Sequence, residues 1–497
     1  MKATFNAEQM HAVDRNLIEN HGFPGIELME NAAAGVTAEA IRILSGNGKQ
    51  CLVLIGPGNN GGDGLAVLRQ LTARGFCAEG LLLFPPEKFR GDALTEYERA
   101  TRSGCALFSV RDACPDPLEG KDLIVDAVFG TGLKRPADDA LSSLFARVNA
   151  SGIPVISVDL PSGLDSDSGE VRGACIRADI TVTFQEYKTG LMTDNGRVHA
   201  GKILLHPISG IPTTEKPDAL WVGEEDVRRC LPGRKLNAHK GSSGRGLLLA
   251  GSSRYPGAAK LSAVAALRAG TGLLTAGVPA PVRPGFSDTP EIMTVPLGMS
   301  GVWDTETLND AAALLPGKTA LAMGPGMGEI ADREAFSALL SCGLPTVLDA
   351  DALNRIASEP GLMRYLGKKH VLTPHPAEAA RLLHVAPQEI LRDMPGSAKR
   401  LARELNAVVL LKGATSWISD GDRLYLNTSG NPGLGKGGSG DTLTGIVLAL
   451  LCQGLEPLQA AYCGAYLLGA AADKAMSILG ERMLIAKDVT DAFAYVL

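Results

Sequence analysis

Apolar runs of strand length alternate with helical patterns from residue 51 almost to the C-terminus, and few architectures accommodate that rhythm. In the first half the runs are "CLVLIG" (51–56), "AEGLLLF" (78–84), "DLIVDAVFG" (122–130), "PVISVDLPSG" (154–163), "ADITVTF" (178–184) and "KILLH" (202–206). Helical segments lie between most of them, which predicts a parallel α/β sheet. Two amphipathic helices, around residues 6–20 and 25–44, precede it. From 207 to about 243 the rhythm breaks into stretches rich in Pro, Gly and Lys, and this is the expected domain boundary. It restarts with "GRGLLLAGS" (244–252), a helix over "GAAKLSAVAALRAG", and strands at "TGLLTAGVP", "TALAMGPG", "PTVLDADALN", "HVLTPHPAE", "AVVLLKGATSWIS" and "RLYLNTSG". These later strands are apolar throughout, as when helices cover both faces of a sheet. Single cores rarely exceed roughly 250–300 residues. The 497-residue chain is therefore expected to form two consecutive three-layer α/β domains with mostly parallel sheets, over 1–215 and 225–497.

A net charge of −6 and a pI near 5.8 provide no basic field, which argues against nucleic acid or a membrane surface as partner and favours small molecules. The opening "MKATFNAEQMHAVDRN" lacks the apolar core of a signal peptide, and runs such as "GIVLALLCQG" fall short of the roughly 20 residues that span a bilayer. A cytoplasmic protein is expected. Nine cysteines, with no CxxC pair and no histidine at ligand spacing, read as buried thiols rather than a zinc site or disulfide framework.

Ligands of open parallel sheets bind at the carboxyl ends of the strands, where unpaired helix N–H groups attract anions. "GPGNNGGDG", "GTGL" and "DLPSGLD" all follow strands and can converge on one pocket. None is a GxGxxG or GxxxxGK[ST] loop, so the standard dinucleotide and P-loop readings do not apply. Near the other end, "GNPGLGKGGSGDTLTG" places Asp441 inside a glycine cluster that opens a helix.

Together, "LMENAA", "GPGNNGGDG", "DAVFGTGL" and "DLPSGLDSDSG" resemble the Rossmann-like N-terminal domain of the NAD(P)H-hydrate repair enzymes, the epimerase module that interconverts the C6 epimers of hydrated NAD(P)H. The resemblance covers roughly residues 1–215. It implies substrate contacts at Asn59, Asn60, Gly61, Gly62 and Asp63, at Gly130, Thr131, Gly132, Leu133, Lys134, Arg135 and Pro136, and at Asp159. It also implies a potassium ion held by Asn60, Asp126 and Ser162. Amide, carboxylate and hydroxyl oxygens suit a monovalent cation, although they do not choose potassium over sodium. A carboxylate beside C6 can steer water and stabilise positive charge, and Asp159 is the candidate catalytic residue. Lys188, in "EYKTGLM", can also approach this site but reads first as a solvated surface lysine.

The second half carries "GPGMG", "LDADALN", "LTPHPAEAARL", "LLKGATSWI" and "NPGLGKGGSGDTLTG", which resemble the ADP- or ATP-dependent NAD(P)H-hydrate dehydratases of the ribokinase-like superfamily over roughly residues 225–497. The resemblance implies a nucleotide against Lys412, Gly413, Ala414, Thr415, Ser416 and Gly440, and the hydrate against Ala258, Gly326, His375 and Asp441. Backbone N–H groups of residues 437–440 would form an anion hole, and Asp441 would be the base that takes the proton of the attacking C6 hydroxyl. Magnesium is implied, with Asp349, Asp351, Asn354 and Glu378 as candidate ligands. The two aspartates read equally well as helix caps, and so does Asp441, with no conflict between capping and catalysis. Lys436 either adds charge beside the phosphates or points to solvent, and Ser439 keeps the hydroxyl the family pattern asks for.

The expected substrates are therefore NADHX and NADPHX with ADP or ATP, handled by a homo-oligomer. Two rival readings remain: a ribokinase-like small-molecule kinase with an N-terminal nucleotide-binding module, which leaves the first domain unexplained, and a non-catalytic nucleotide sensor or binding scaffold, which would lack the base at Asp441.

Overall fold

Along Gln50–Ile55 the side chains alternate between two cores: Cys51, Val53 and Ile55 enter one cluster, Leu52 and Leu54 the other, and all are fully buried. A strand sandwiched in this way must be apolar on both faces, which explains the unbroken run in the sequence. The computed structural model describes every residue except 48–49, 110–115, 134–135, 234–235 and 497. The chain divides into two units, Ala3–Asp218 and Ala219–Leu497, the latter together with Met1–Lys2.

The first unit holds β1 (Lys2–Phe5), β2 (Gln50–Ile55), β3 (Cys77–Leu82), β4 (Ala106–Ser109), β5 (Leu123–Ala127), β6 (Val155–Val158), β7 (Ile180–Phe184), β8 (Tyr187–Lys188) and β9 (Lys202–His206). Seven of these run parallel in the order β4-β3-β2-β5-β6-β7-β9, while β1 and β8 pair in parallel outside that order. One face is covered by the helices Ala7–Glu19, Gly25–Asn47, Asn59–Ala73 and Gly91–Arg102. The other is covered by Asp139–Ala150 through Phe145 and Val148. Each fully buried Leu, Ile or Val contributes about 1.5–3 kcal/mol. The chain progresses outward in opposite directions from β2 and β5, so their carboxyl ends flank a topological switch point. The half-exposed edge strand β4, "ALFS", is too short and too little apolar to have been expected.

The second unit contains β10 (Ala219–Trp221), β11 (Arg245–Leu249), β12 (Leu273–Pro279), β13 (Met293–Leu297), β14 (Ala320–Met323), β15 (Thr346–Leu348), β16 (His370–Leu372), β17 (Val408–Leu411), β18 (Ser416–Ser419) and β19 (Leu424–Asn427). Their order is β13-β12-β11-β14-β15-β16-β17-β18-β19-β10, parallel except for the pairs β17–β18 and β18–β19. Two expectations need correction, and one strand was not anticipated. "AVVLLKGATSWIS" is two antiparallel strands, with residues 412–415 making the reversal. The segment 207–243 is not purely a boundary, since β10 and the helix Glu224–Cys230 lie in it and belong to the second unit. The edge strand β13, "MTVPL", passed unread because Pro296 interrupts its pattern.

Of the cysteines expected to be buried, Cys77 is exposed and Cys230 and Cys342 are half-buried; Cys51, Cys105, Cys175, Cys452 and Cys463 are buried and Cys114 lies outside the described residues. Among the described residues no helix is long and apolar enough to cross a membrane.

In the second unit the helices Pro256–Arg268 and Ser439–Cys452 approach so closely that a Cβ on Gly445 would lie 2.1 Å from the Ser262 carbonyl oxygen. Ser262 Oγ also donates to the Asp441 carbonyl at 2.8 Å, tying the two helices together. Gly445→Ala is therefore expected to destabilise this unit by about 1–3 kcal/mol through overpacking. Chemical denaturation of the variant measures this, and an unchanged midpoint would show that the helices separate freely.

Candidate functional sites

The loops that follow β2 and β5 open onto a cavity of about 490 Å³. The segment Asn59–Asp63 is less a loop than a first helical turn: Gly58 is the N-cap, and the helix Asn59–Ala73 starts at once. This geometry demands glycine, because a Cβ on Gly61 would stand 1.9 Å from the Gly56 carbonyl oxygen. Asn59, Asn60, Asp63, Gly130, Thr131, Gly132 and Asp159 line the cavity. Gly61, Gly62, Leu133 and Pro136 do not, and Lys134 and Arg135 lie outside the described residues.

Beneath the loops Asp126 is fully buried. Ser162 donates to it twice, from Oγ to Oδ1 at 2.5 Å and from its backbone N–H to Oδ2 at 2.8 Å, and Ser157 Oγ donates to Oδ2 at 2.8 Å. Burial pushes the Asp126 carboxyl up, and the bonds from Ser162 and Ser157 draw it back down. Ser162 Oγ in turn accepts the Phe129 N–H at 2.9 Å. Asn60 is buried with its amide nitrogen unpartnered, and the Gly130 backbone passes so near that a Cβ there would lie 3.3 Å from Asn60 Oδ1.

Lys188, expected at the surface, is buried in the cavity wall and donates to Asp159 Oδ1 at 2.5 Å and to the Phe184 carbonyl at 2.8 Å. The pair β1–β8 places it there, with Phe5 opposite Lys188 in register. Sequence reasoning also passed over His11, Asp14 and Ile18, which line the same cavity from the helix Ala7–Glu19. Their i, i+3, i+7 spacing beside the buried stripe Met10, Val13 and Leu17 was the available signal. Burial, reinforced by Asp159 and Asp14, raises the Asp63 carboxyl well above the ordinary carboxylate range against the pull of Lys188. Asp14 is raised for the same first reason, with Lys188 opposing and Asp159 adding.

In the second unit the loops after β11 and β14 meet at the switch point between those strands. Gly251 N donates to the Pro325 carbonyl at 2.8 Å and Ser252 Oγ to the Gly326 carbonyl at 2.8 Å. Gly326, at φ +62°, sits against Ala258: a Cβ there would lie 2.8 Å from the Ala258 Cβ. Two of the expected hydrate contacts are thus adjacent.

Asp441 is the third residue of the helix Ser439–Cys452, not its cap; that position belongs to Gly438, whose φ of +100° suits glycine. Burial, with Asp349 next, pushes the Asp441 carboxyl up to about 6, opposed by Lys412. Asp349 starts the helix Ala350–Ser358 but makes no capping bond with its side chain. Instead its Oδ1 accepts from Lys412 Nζ and its Oδ2 from Thr444 Oγ1, both at 2.9 Å. Gly440 belongs to the same cluster, since a Cβ on it would lie 3.5 Å from Lys412 Nζ. Burial works against the Lys412 charge, yet Asp349 and Glu378 outweigh it and leave its pKa raised. The residues Lys412, Gly413, Ala414 and Thr415 form the β17–β18 reversal, and Ser416 begins β18.

His375 caps the helix Pro376–Leu383: its Nδ1 accepts from Ala377 N at 3.1 Å and Glu378 N at 3.3 Å, while its own N–H reaches Glu378 Oε2 at 2.8 Å. Burial lowers its pKa, Glu378 opposing and Lys412 and Arg381 assisting, and a neutral ring suits an Nδ1 that accepts. The candidate magnesium ligands are engaged elsewhere. Both Asp349 oxygens are taken, Asp351 accepts from Gly328 N at 2.7 Å and Asn354 Nδ2 at 3.4 Å, and Asn354 Oδ1 accepts from Arg381 at 3.1 Å. Among the described residues no three His, Cys, Asp or Glu side chains converge as a metal-binding group. Lys436 is exposed, and its Nζ donates to the carbonyls of Arg482 and Leu484 at 2.6 and 2.8 Å.

Residues 25–190 match the family described as YjeF-related protein N-terminus, and residues 246–492 match that described as NAD(P)H-hydrate dehydratase. A bifunctional NAD(P)H-hydrate repair enzyme Nnr from Moorella thermoacetica is 39% identical over 99% of this chain and 96% of its own length. The protein of that name from Escherichia coli is 33% identical over 97% and 92%. A crystal structure of the ADP/ATP-dependent NAD(P)H-hydrate dehydratase from Bacillus subtilis, co-crystallized with ATP/Mg2+, is 33% identical, with a TM-score of 0.49 over 56% of this chain and 97% of its own. Identity at this level along nearly the whole length of both chains places this protein in the family of bifunctional NAD(P)H-hydrate repair enzymes.

Proposed function

We propose that the first unit interconverts the C6 epimers of hydrated NADH and NADPH, and that the second uses ADP or ATP to dehydrate the S form to NAD(P)H. The observation that carries this reading is Asp441, a carboxylate in the first turn of a buried helix, grouped with Lys412, Asp349 and Gly440 where phosphoryl chemistry needs a base beside an anion hole. The nucleotide lies against Lys412, Gly413, Ala414, Thr415, Ser416 and Gly440, and the hydrate against Ala258, Gly326, His375 and Asp441. Asp441 takes the proton of the C6 hydroxyl as its oxygen bonds to the terminal phosphorus and the nucleotide's P–O bond breaks. The phosphorylated oxygen then departs as phosphate, a C5 proton leaves, and the dihydropyridine is restored. With ADP as donor the other product is AMP.

Asp349, Asp351 and Glu378 already accept from protein donors, so magnesium that accompanies the nucleotide would be held by phosphate oxygens and water. In the first unit Asn60, Asp126 and Ser162 fit a monovalent cation, because the orphaned Asn60 amide can turn its oxygen inward. Such an ion supplies positive charge beside the buried Asp126. The substrate would occupy the 490 Å³ cavity against Asn59, Asn60, Asp63, the loop from Gly130, and Asp159, its catalytic carboxylate.

Incubating the pure protein with hydrated NADH and ADP or ATP should restore absorbance of the reduced nicotinamide, and a stable phosphorylated product would overturn the dehydratase reading. Asp441→Asn should abolish dehydration while epimer exchange continues, and Asp159→Asn should do the reverse. One substitution that stops both activities in folded protein contradicts two separate sites. Because Asp441 must be ionised to accept a proton and its pKa is raised to about 6, kcat/KM for dehydration should rise with pH up to that value and level off above it. A flat profile from pH 5 to 7 would exclude Asp441 as the base.

A further inference from the structure

The Asp159 carboxylate is divided into two unlike oxygens. Its Oδ1 accepts from Lys188 Nζ at 2.5 Å, Thr183 Oγ1 at 3.1 Å and Phe184 N at 3.3 Å. Its Oδ2 receives no hydrogen bond from the described residues, although Asp159 lines the cavity. Lys188, 1% exposed, is held at its other side by the Phe184 carbonyl at 2.8 Å, so the ammonium has little freedom. The backbone is also constrained here: Asp159 and Gln185 both adopt positive φ, +63° and +60°, without being glycine. Such conformations persist only where the surroundings over-determine them, and they cluster at functional sites. Gln185 is fixed through its side chain, which donates to the Ile211 carbonyl at 2.8 Å and accepts from Ile208 N at 3.1 Å.

We propose that Lys188 is a positioning residue for epimerisation: by engaging Oδ1 it pins Asp159 so that Oδ2 alone faces the substrate and handles the proton of the water exchanged at C6. The inference rests on the epimerase reading of this cavity. In the exchange the C6–O bond breaks as the N1 lone pair forms C6=N1⁺, and the departing hydroxide leaves as water with a proton from the Asp63 carboxyl, which lines the same cavity. Water then adds to C6, the C=N bond reverts to C–N, and the proton released passes to Asp159 Oδ2 and back to Asp63 through solvent. The other titratable groups facing this pair are His11 and Asp14, from the helix Ala7–Glu19, and Asp92. Removing an ammonium from beside a carboxylate oxygen disfavours the charged form of that carboxylate.

The test measures exchange between the epimers of hydrated NADH by the full-length protein. Lys188→Met is expected to lower kcat about 10²-fold with little change in KM, and to move the acid limb of the kcat/KM pH profile up by about one unit. Thr183→Val removes a second Oδ1 donor with almost no change of shape and should act in the same direction, by about threefold to tenfold. Circular dichroism and thermal melting establish that each variant is folded. Folded Lys188→Met with wild-type kcat and pH profile overturns the proposal. So does a loss of activity in Lys188→Met with no shift of the profile and an unaffected Thr183→Val, since that pattern marks a purely structural lysine. If wild-type protein fails to exchange the epimers, the epimerase reading itself falls, an outcome distinct from either of these.

Discussion

A parallel sheet covered by helices on both faces leaves only its strand ends for chemistry, and both units of this chain are organised around that restriction. Cys51, Val53 and Ile55 point into one core while Leu52 and Leu54 point into the other, so nothing along the strand is available to a ligand. Polar groups gather instead where the chain changes direction across the sheet, after β2 and β5 in the first unit and after β11 and β14 in the second. There the backbones crowd together, and positions such as Gly61 and Gly326 have no room for a side chain. Helix N-termini bring their free N–H groups to the same places.

Each site also pairs an aspartate with a lysine, to different ends. Asp349 spends both oxygens on protein donors, Lys412 and Thr444, and so serves as a fixed counter-charge whose field falls on its neighbour Asp441. Asp159 has one oxygen secured and the other turned to the cavity. The same chemical pair thus leaves a carboxylate with both oxygens engaged in one unit and one with an oxygen open to the cavity in the other, and the difference lies in the second oxygen's partner.

Much of this was legible in the sequence because periodicity and glycine spacing are local signals. The central strands, the two leading helices and the placement of Asn60, Asp63, Gly130 and Asp159 around one cavity follow from patterns within short segments. What escaped depended on contacts distant in sequence. Lys188 looks like any polar residue after a strand, and its burial arises from pairing with β1 more than 180 residues away. The split of "AVVLLKGATSWIS" was hidden because antiparallel and parallel buried strands share an apolar composition, with Gly413 as the sole mark of the reversal. The cap reading that Asp441 also admits does not hold, because a glycine at positive φ, Gly438, caps the helix without any polar side chain and leaves Asp441 in the first turn. Lys436 bonds to carbonyls 46 and 48 residues later, which no local pattern encodes.

The helix Ala7–Glu19 supplies part of the cavity wall, yet it precedes the stretch by which the family is recognised, residues 25–190. Recognisable sequence and functional enclosure therefore have different edges. A fragment trimmed to the recognised stretch would retain the glycine turn, Asp126 and Asp159 but open the cavity to solvent where His11, Asp14 and Ile18 now close it. The same holds at the other end, where β10 and the helix Glu224–Cys230 belong to the second unit although recognition starts only at residue 246. Dissecting this protein into working halves means cutting by enclosure, close to residue 218, and keeping the first helix with the half whose chamber it walls.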